Sequence, residues 1–150
     1  MLLYIALIFS CLFLSACHSL PPVGQLPELK QVTMFQVTER EDEQSALQSL
    51  LIIEPQSADT WRWIQLDALG APISRQVVQE GKWRNDGFLP PNAQARALFI
   101  AVYVYLSKEL GETEDIPLET MSALQVEDSA EGVLLSFQNK QWLVKELQNE

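Results

Sequence analysis

The stretch Ala97–Leu106 constrains the fold of this chain most, because every residue in it is apolar or tyrosine. A helix that is apolar on all sides needs other elements around it. Asn92 is a candidate N-cap and Gly111 a candidate C′ residue, so the sequence predicts a helix over 93–110. A strand is the alternative, since isoleucine, valine and tyrosine favour sheets. The length and the end signals favour the helix.

Short segments of β-branched and aromatic residues, separated by turn residues, occupy the chain on both sides of this helix. This rhythm is typical of an antiparallel meander. The predicted strands cover 32–38, 46–53, 61–66, 73–79 and 82–84 before the helix, and 124–126, 133–137 and 142–145 after it. The order predicts an α+β domain in which an antiparallel sheet wraps one buried helix.

The N-terminus has the pattern of a bacterial lipoprotein precursor. The apolar run Leu2–Leu14 is shorter than the ~20 residues that cross a bilayer, and the small residues Ser15 and Ala16 precede Cys17. We predict a signal peptide at 1–16 and lipidation of Cys17 with palmitate-type acyl chains; the alternative is an ordinary secretion signal that contains a cysteine. In similar lipoproteins an aspartate after the cysteine indicates inner-membrane retention, so His18 favours the outer membrane, on its periplasmic face.

The rest of the chain divides into a tether and one domain. Residues 17–30 are rich in proline and glycine and are predicted to be the lipidated tether, and residues 31–150 the domain. The net charge of −10 argues against nucleic acid and anionic head groups as partners, because both require basic patches.

Catalytic and metal-binding motifs are missing from the sequence of the predicted domain. The only histidine is His18, no cysteine follows Cys17, and no glycine-rich phosphate loop occurs. Carboxylates are the remaining candidates for acid–base chemistry, but their spacing does not indicate a pair. They are Glu54, Asp67, Asp86, Glu114 and Asp115. We therefore predict a protein that is not an enzyme and needs no cofactor or metal.

Tryptophan is the most informative residue type in the predicted sheet. Trp61 and Trp63 share a strand face, because strand side chains repeat every two residues. Aromatic residues at this spacing either fill the core or line a cavity for acyl chains. The candidate cavity residues are Trp61, Trp63, Trp83, Phe99, Tyr103 and Trp142.

Three short stretches resemble the LolB-like family of outer-membrane lipoproteins and the related LolA carriers. They are the strand and turn at 64–70, the proline-led start of the apolar helix at 89–92, and the closing strand at 139–145. The resemblance implies an incomplete antiparallel β-barrel around a central apolar helix, with a cavity for acyl chains. It also implies that Leu69 and Gly70 form a turn that passes cargo to the membrane; the alternative is that Leu69 packs under Pro72. The family's proline before this leucine is Ala68 here.

Together these features predict a protein that binds or transfers acylated cargo, either a lipid or a lipoprotein. Its partners would be the membrane through the lipid anchor, the cargo, and a periplasmic LolA-like carrier. The alternative is a structural lipoprotein that binds no ligand and docks onto an envelope complex. The first function requires an apolar cavity between sheet and helix, and the second an exposed apolar patch on a filled domain.

Overall fold

A computed structural model describes residues 23–24, 26–42 and 45–147. The predicted signal peptide at 1–16, the lipidation site Cys17 and the first part of the tether lie outside the described residues. Of the rest of the predicted tether, Val23 and Leu26 are buried and belong to the hydrophobic core. Within the described residues, neither helix has the length and hydropathy that a bilayer crossing requires.

Eight antiparallel strands form a single sheet in the order β5-β4-β3-β2-β1-β8-β7-β6. Sequential hairpins connect β1 to β5 and β6 to β8, and the pairing of β1 with β8 joins these two halves. The strands are β1 (Thr33–Asp42), β2 (Ser45–Ser57), β3 (Thr60–Asp67), β4 (Pro72–Gln79), β5 (Lys82–Asn85), β6 (Gln125–Ser129), β7 (Gly132–Phe137) and β8 (Lys140–Leu147).

The predicted α+β architecture, an incomplete antiparallel β-barrel wrapping a central apolar helix, is wrong. The sheet is open, with β5 and β6 as its two edges, and the long helix lies against one face of it. Local turn signals specify which consecutive strands pair, but closure depends on contacts between edges far apart in the sequence. Here β5 has only four residues, and all five residues of β6 are exposed.

Helix α1 (Ala93–Leu110) has the predicted bounds, and its caps explain them. The Asn92 side chain accepts hydrogen bonds from the backbone N–H groups of Gln94 and Ala95, which satisfies two free donors of the first turn. Gly111 ends the helix in the left-handed conformation, with φ of 75°. All residues from 97 to 104 are buried, so this part of the helix is covered on all sides. A short helix that the sequence did not predict, α2 (Leu118–Ala123), follows.

The hydrophobic core lies between α1 and one face of the sheet, here called the helix-facing side. Alternate residues of each central strand point to it, such as Phe35 and Val37 in β1 and Leu51 and Ile53 in β2. Strand β2 continues past the predicted end at Ile53, and Pro55 is accommodated because it lies at a register shift where the ladder with β3 is interrupted.

Candidate functional site

Four of the predicted cavity residues form one aromatic layer between α1 and the strands β3 to β5. The ring centroids of Trp63 and Trp83 are 5.4 Å apart, and those of Trp63 and Phe99 are 5.6 Å apart. Trp83 stacks on Phe99 at 6.1 Å, and Trp61 lies 6.2 Å from Trp63. These distances are those of favourable aromatic pairs. Trp61 and Trp63 share a face, as the strand spacing predicts.

This aromatic layer is closely packed. Trp63 and Phe99 have 0% exposure, so their side chains border no space that water can enter. Trp61 is 1% exposed and is among the residues that line a groove of about 590 Å³ beside Leu26 and Pro55. In this structure the rings themselves fill the position of the predicted cavity. An acyl chain can therefore reach Trp63 and Phe99 only if α1 and the sheet move apart.

The other two predicted cavity residues lie away from the layer. Trp142 is buried on β8, and the strands β2 and β1 separate it from β3. Tyr103 lies one helical turn beyond Phe99, close to Ser107 and the backbone of Gly24. Burial raises the pKa of the Tyr103 phenol, and its polar contacts with Ser107 and Gly24 oppose this shift only in part. The structure thus groups four of the six candidates and separates two.

Polar groups are buried at the same layer. The side-chain atoms Gln65 Oε1, Gln76 Oε1, Trp63 Nε1 and Trp83 Nε1 are buried and have no hydrogen-bond partner within the described part of the chain. Such a group costs about 1–3 kcal/mol when it is left unpaired, and most buried polar groups in proteins are paired. The layer therefore contains unpaired polar groups, which the apolar pattern of the sequence did not indicate.

The turn between β3 and β4 presents Leu69 to solvent. The Asp67 carboxylate accepts hydrogen bonds from the backbone N–H groups of Leu69 and Ala71, at 2.9 and 2.8 Å. Gly70 takes a φ of 83°, a conformation that glycine adopts without strain. The Leu69 side chain is 94% exposed, so it does not pack under Pro72. The turn is therefore ordered by its own hydrogen bonds while its leucine makes little contact with the domain.

A groove of about 400 Å³ borders this turn on the opposite face of the sheet, here called the helix-free side. Leu50, Leu66, Ala68 and Leu147 supply apolar side chains to its lining. A row of cross-strand neighbours, Met34, Ile52 and Ile64, continues the apolar surface, and all three are half-buried. This groove was not predicted, although the uninterrupted apolar run 50–53 indicates a strand with apolar residues on both faces.

Three of the five candidate carboxylates, Glu54, Asp67 and Asp86, make structural contacts. Asp86 lies 2.9 Å from Arg62 Nε and 3.0 Å from Arg75 Nη2, and Glu54 lies 3.5 Å from Arg62 Nη1. Asp67 holds the turn described above. Among the described residues, no three histidine, cysteine, aspartate or glutamate side chains are grouped as metal ligands would be. The absence of enzymatic activity remains a prediction.

The chain enters the domain at the end of the sheet opposite to Leu69. The backbone N–H of Val23 donates to the carbonyl of Gly81, in the turn between β4 and β5. Leu69 lies before the other end of β4, which has eight residues. At about 3.3 Å per residue, the eight residues of β4 place Gly81 about 26 Å from Leu69 along the strand.

Comparison with known proteins adds no relative: no family model, no curated protein and no solved structure matches this chain. The resemblance to the LolB-like family therefore remains a prediction from the motifs at 64–70, 89–92 and 139–145.

Proposed function

We propose that this protein is a lipid-anchored periplasmic protein of the outer membrane that binds acylated cargo and transfers it. The cargo is a lipid or a lipoprotein, and a periplasmic LolA-like carrier is its candidate donor. The observation that carries the proposal is the aromatic layer beneath α1. It offers a broad apolar surface on which acyl chains can replace the helix, at about 0.8 kcal/mol per buried methylene.

Binding in this proposal requires α1 to separate from the strands β3, β4 and β5. The four unpaired polar groups favour this movement, because separation of the two surfaces hydrates them. The cost is the loss of the contacts of Phe99 with Trp63 and Trp83, which contacts with the acyl chain replace. Helix and sheet thus open for cargo and close without it.

Leu69 supplies the contact with a membrane or with the carrier. Its side chain is almost fully exposed on a turn that its own hydrogen bonds hold in place. Phe88, in the loop that leads to α1, is also fully exposed. Isolated apolar side chains on ordered loops can enter a lipid surface without unfolding the domain.

A second candidate function is a tethered adaptor that binds a protein partner and holds no lipid. The groove beside Leu66 favours it, because this site is open in the structure whereas the aromatic layer is filled. An envelope protein with a complementary apolar ridge would cover Leu50 and Leu66 in this case. The two functions place the ligand on opposite faces of the sheet, so one labelling experiment separates them.

The test uses the full-length protein in phospholipid nanodiscs that contain a palmitoyl lipid with a photoreactive group near the chain end. After irradiation, mass spectrometry identifies the labelled residues. We expect labels on the helix-facing side, at Trp63, Phe99 or their neighbours. A domain without labels on this side, in repeated experiments with different chain positions of the reactive group, contradicts the proposal.

Ile52→Asn is the matched control for the adaptor. Ile52 lies on the helix-free side in the row of half-buried residues, so this substitution alters the groove face and leaves the aromatic layer intact. Labelling should be unchanged in this variant if cargo binds beneath α1. Labels on Leu50 and Leu66 that disappear in Ile52→Asn would assign the lipid contact to the groove.

A further inference from the structure

The four unpaired polar side chains on the helix-facing side of the sheet belong to three neighbouring strands. Trp63 and Gln65 lie on β3, Gln76 on β4 and Trp83 on β5. Gln65 is 7% exposed and Gln76 is 2% exposed, so both amides are removed from solvent. The Nε2 group of Gln65 donates to Ser49, whereas its Oε1 has no partner among the described residues.

The strand register places these groups side by side. Trp63 lies directly opposite Gln76, and Gln65 lies opposite Ser74. Trp83 lies opposite Val78, the next residue of β4 on the same face. Trp63 and Gln76 therefore start about 4.5–5.5 Å apart at their Cβ atoms, and Gln65 and Trp83 are diagonal neighbours of Gln76 at about 7–8 Å. The four groups therefore form one contiguous patch, here called the amide–indole patch, and Phe99 on α1 contacts its two indole rings.

The chemistry of this patch selects a class of ligand group. It presents two amide oxygens that accept hydrogen bonds and two indole N–H groups that donate them. None of its four side chains is charged. A head group that has both a hydroxyl and a carbonyl matches these donors and acceptors, whereas a carboxylate or phosphate brings a charge with no counter-charge in the patch.

We infer that the amide–indole patch binds the neutral polar head of the acylated cargo, with its hydroxyl on the glutamine oxygens and its ester or amide carbonyl on the indole N–H groups. The inference rests on the proposed function and adds to it the class of cargo, a neutral glycerol ester or a related amide. The acyl chain then extends along the aromatic layer from this fixed end.

The test compares two photoreactive ligands with the same palmitoyl chain, 1-palmitoylglycerol and methyl palmitate, with the full-length protein in nanodiscs. Empty nanodiscs give the partition of each ligand into lipid, which normalises the labelling. We expect 1-palmitoylglycerol to label the helix-facing side about 10-fold more efficiently at subsaturating concentration, since each tenfold corresponds to about 1.4 kcal/mol.

The double variant Gln65→Leu/Gln76→Leu removes both unpaired acceptors with little change in volume. It should lower the preference for 1-palmitoylglycerol to about twofold or less and leave methyl palmitate labelling unchanged. Gln79→Leu is the control, because Gln79 is exposed on β4, the strand that carries Gln76. This variant should keep the full preference for 1-palmitoylglycerol.

The outcomes separate this inference from the proposed function. Equal labelling of the wild-type interior by both ligands, or a preference that persists in the double variant, overturns the inference and leaves acyl binding intact. Failure of both ligands to label the interior overturns the proposed function, and the inference with it.

Discussion

Trp63 and Gln76 face each other across β3 and β4, both buried beneath α1, and each has a polar atom without a partner within the described residues. An unpaired amide thus lies within the aromatic core between α1 and the sheet. The core favours close packing of the helix, and the amide opposes it. This conflict is the reason to assign ligand binding to this part of the domain.

Substitution of the buried amide should stabilise the empty protein. Gln76→Leu removes an unpaired oxygen and adds an apolar side chain of similar size, so we expect the free energy of unfolding to rise by about 1 kcal/mol. Urea denaturation followed by tryptophan fluorescence measures the change. Gln79→Leu should lie within about 0.5 kcal/mol of the wild type. A destabilised Gln76→Leu protein would indicate that this amide has a partner in solution.

The two tryptophans of the layer should differ in their contribution to stability. Trp63 is fully buried and contacts three aromatic rings, whereas Trp83 is half-buried on an edge strand. We expect Trp63→Ala to cost about 3–5 kcal/mol and Trp83→Ala clearly less, because the cavity left behind is larger at the enclosed site. Chemical denaturation of both variants tests this order. Equal costs would contradict the described packing.

Leu69 should be dispensable for folding and necessary for transfer. Because its side chain is almost fully exposed, Leu69→Glu should change the unfolding free energy by less than about 0.5 kcal/mol. Transfer of a fluorescent acyl lipid from the protein to vesicles should fall several-fold. Leu118→Glu is the matched control, since Leu118 is 76% exposed on α2. Similar transfer by both variants would remove Leu69 from the proposed function.

Asp67 should act on transfer through the shape of the turn. Its carboxylate accepts hydrogen bonds from Leu69 and Ala71, so Asp67→Ala should cost about 1 kcal/mol and loosen the position of Leu69. Asp67→Asn retains an acceptor oxygen and should restore much of the stability. Hydrogen exchange at the Leu69 amide checks the mechanism. Unchanged protection in Asp67→Ala would show that the backbone alone sets the turn.

Stability should decline in alkaline solution because of Tyr103. Burial raises the pKa of its phenol above the ordinary value of 10.0, so the folded state keeps a proton that the unfolded state releases. This stabilisation is complete below the unfolded pKa of about 10 and is lost as the pH rises through the folded pKa. Denaturation between pH 8 and 11.5 should show a shallower decline for Tyr103→Phe. Tyr105→Phe measures the part due to Tyr105, whose pKa burial also raises.

Most helix and strand bounds were predicted well, because caps and turns depend on residues that are close together in the sequence. Asn92 and Gly111 mark the ends of α1, and the Asp67–Gly70 turn separates two alternating strands. The pairing of β1 with β8 joins residues about a hundred positions apart, as the ion pair of Glu39 and Lys140 illustrates at 2.7 Å. No local pattern encodes such a contact, so the sequence could not distinguish an open sheet from a barrel.

The residue types of the candidate site could be predicted from the sequence, but whether the site is a filled core or an open cavity could not. Strand periodicity placed Trp61 and Trp63 on one face, and an apolar helix required partners such as Phe99. Whether aromatic rings fill a space or line it depends on how closely α1 approaches β3, which is a property of tertiary packing. The sequence also could not show that the amide oxygens of Gln65 and Gln76 lack hydrogen-bond partners, because this depends on which residues of α1 cover them.

The chain enters the domain beside Gly81, at the opposite end of β4 from Leu69, so the anchor side of the domain and the Leu69 turn lie at opposite ends of the sheet. If Cys17 is acylated, the six residues Cys17–Pro22 can extend at most about 20 Å from the lipid surface. Under the proposed function, a domain whose strand β4 stands perpendicular to the membrane would carry Leu69 about 26 Å farther from the bilayer than Gly81. Delivery through Leu69 to the bilayer that holds the anchor would then require the whole domain to reorient, in addition to the movement of α1.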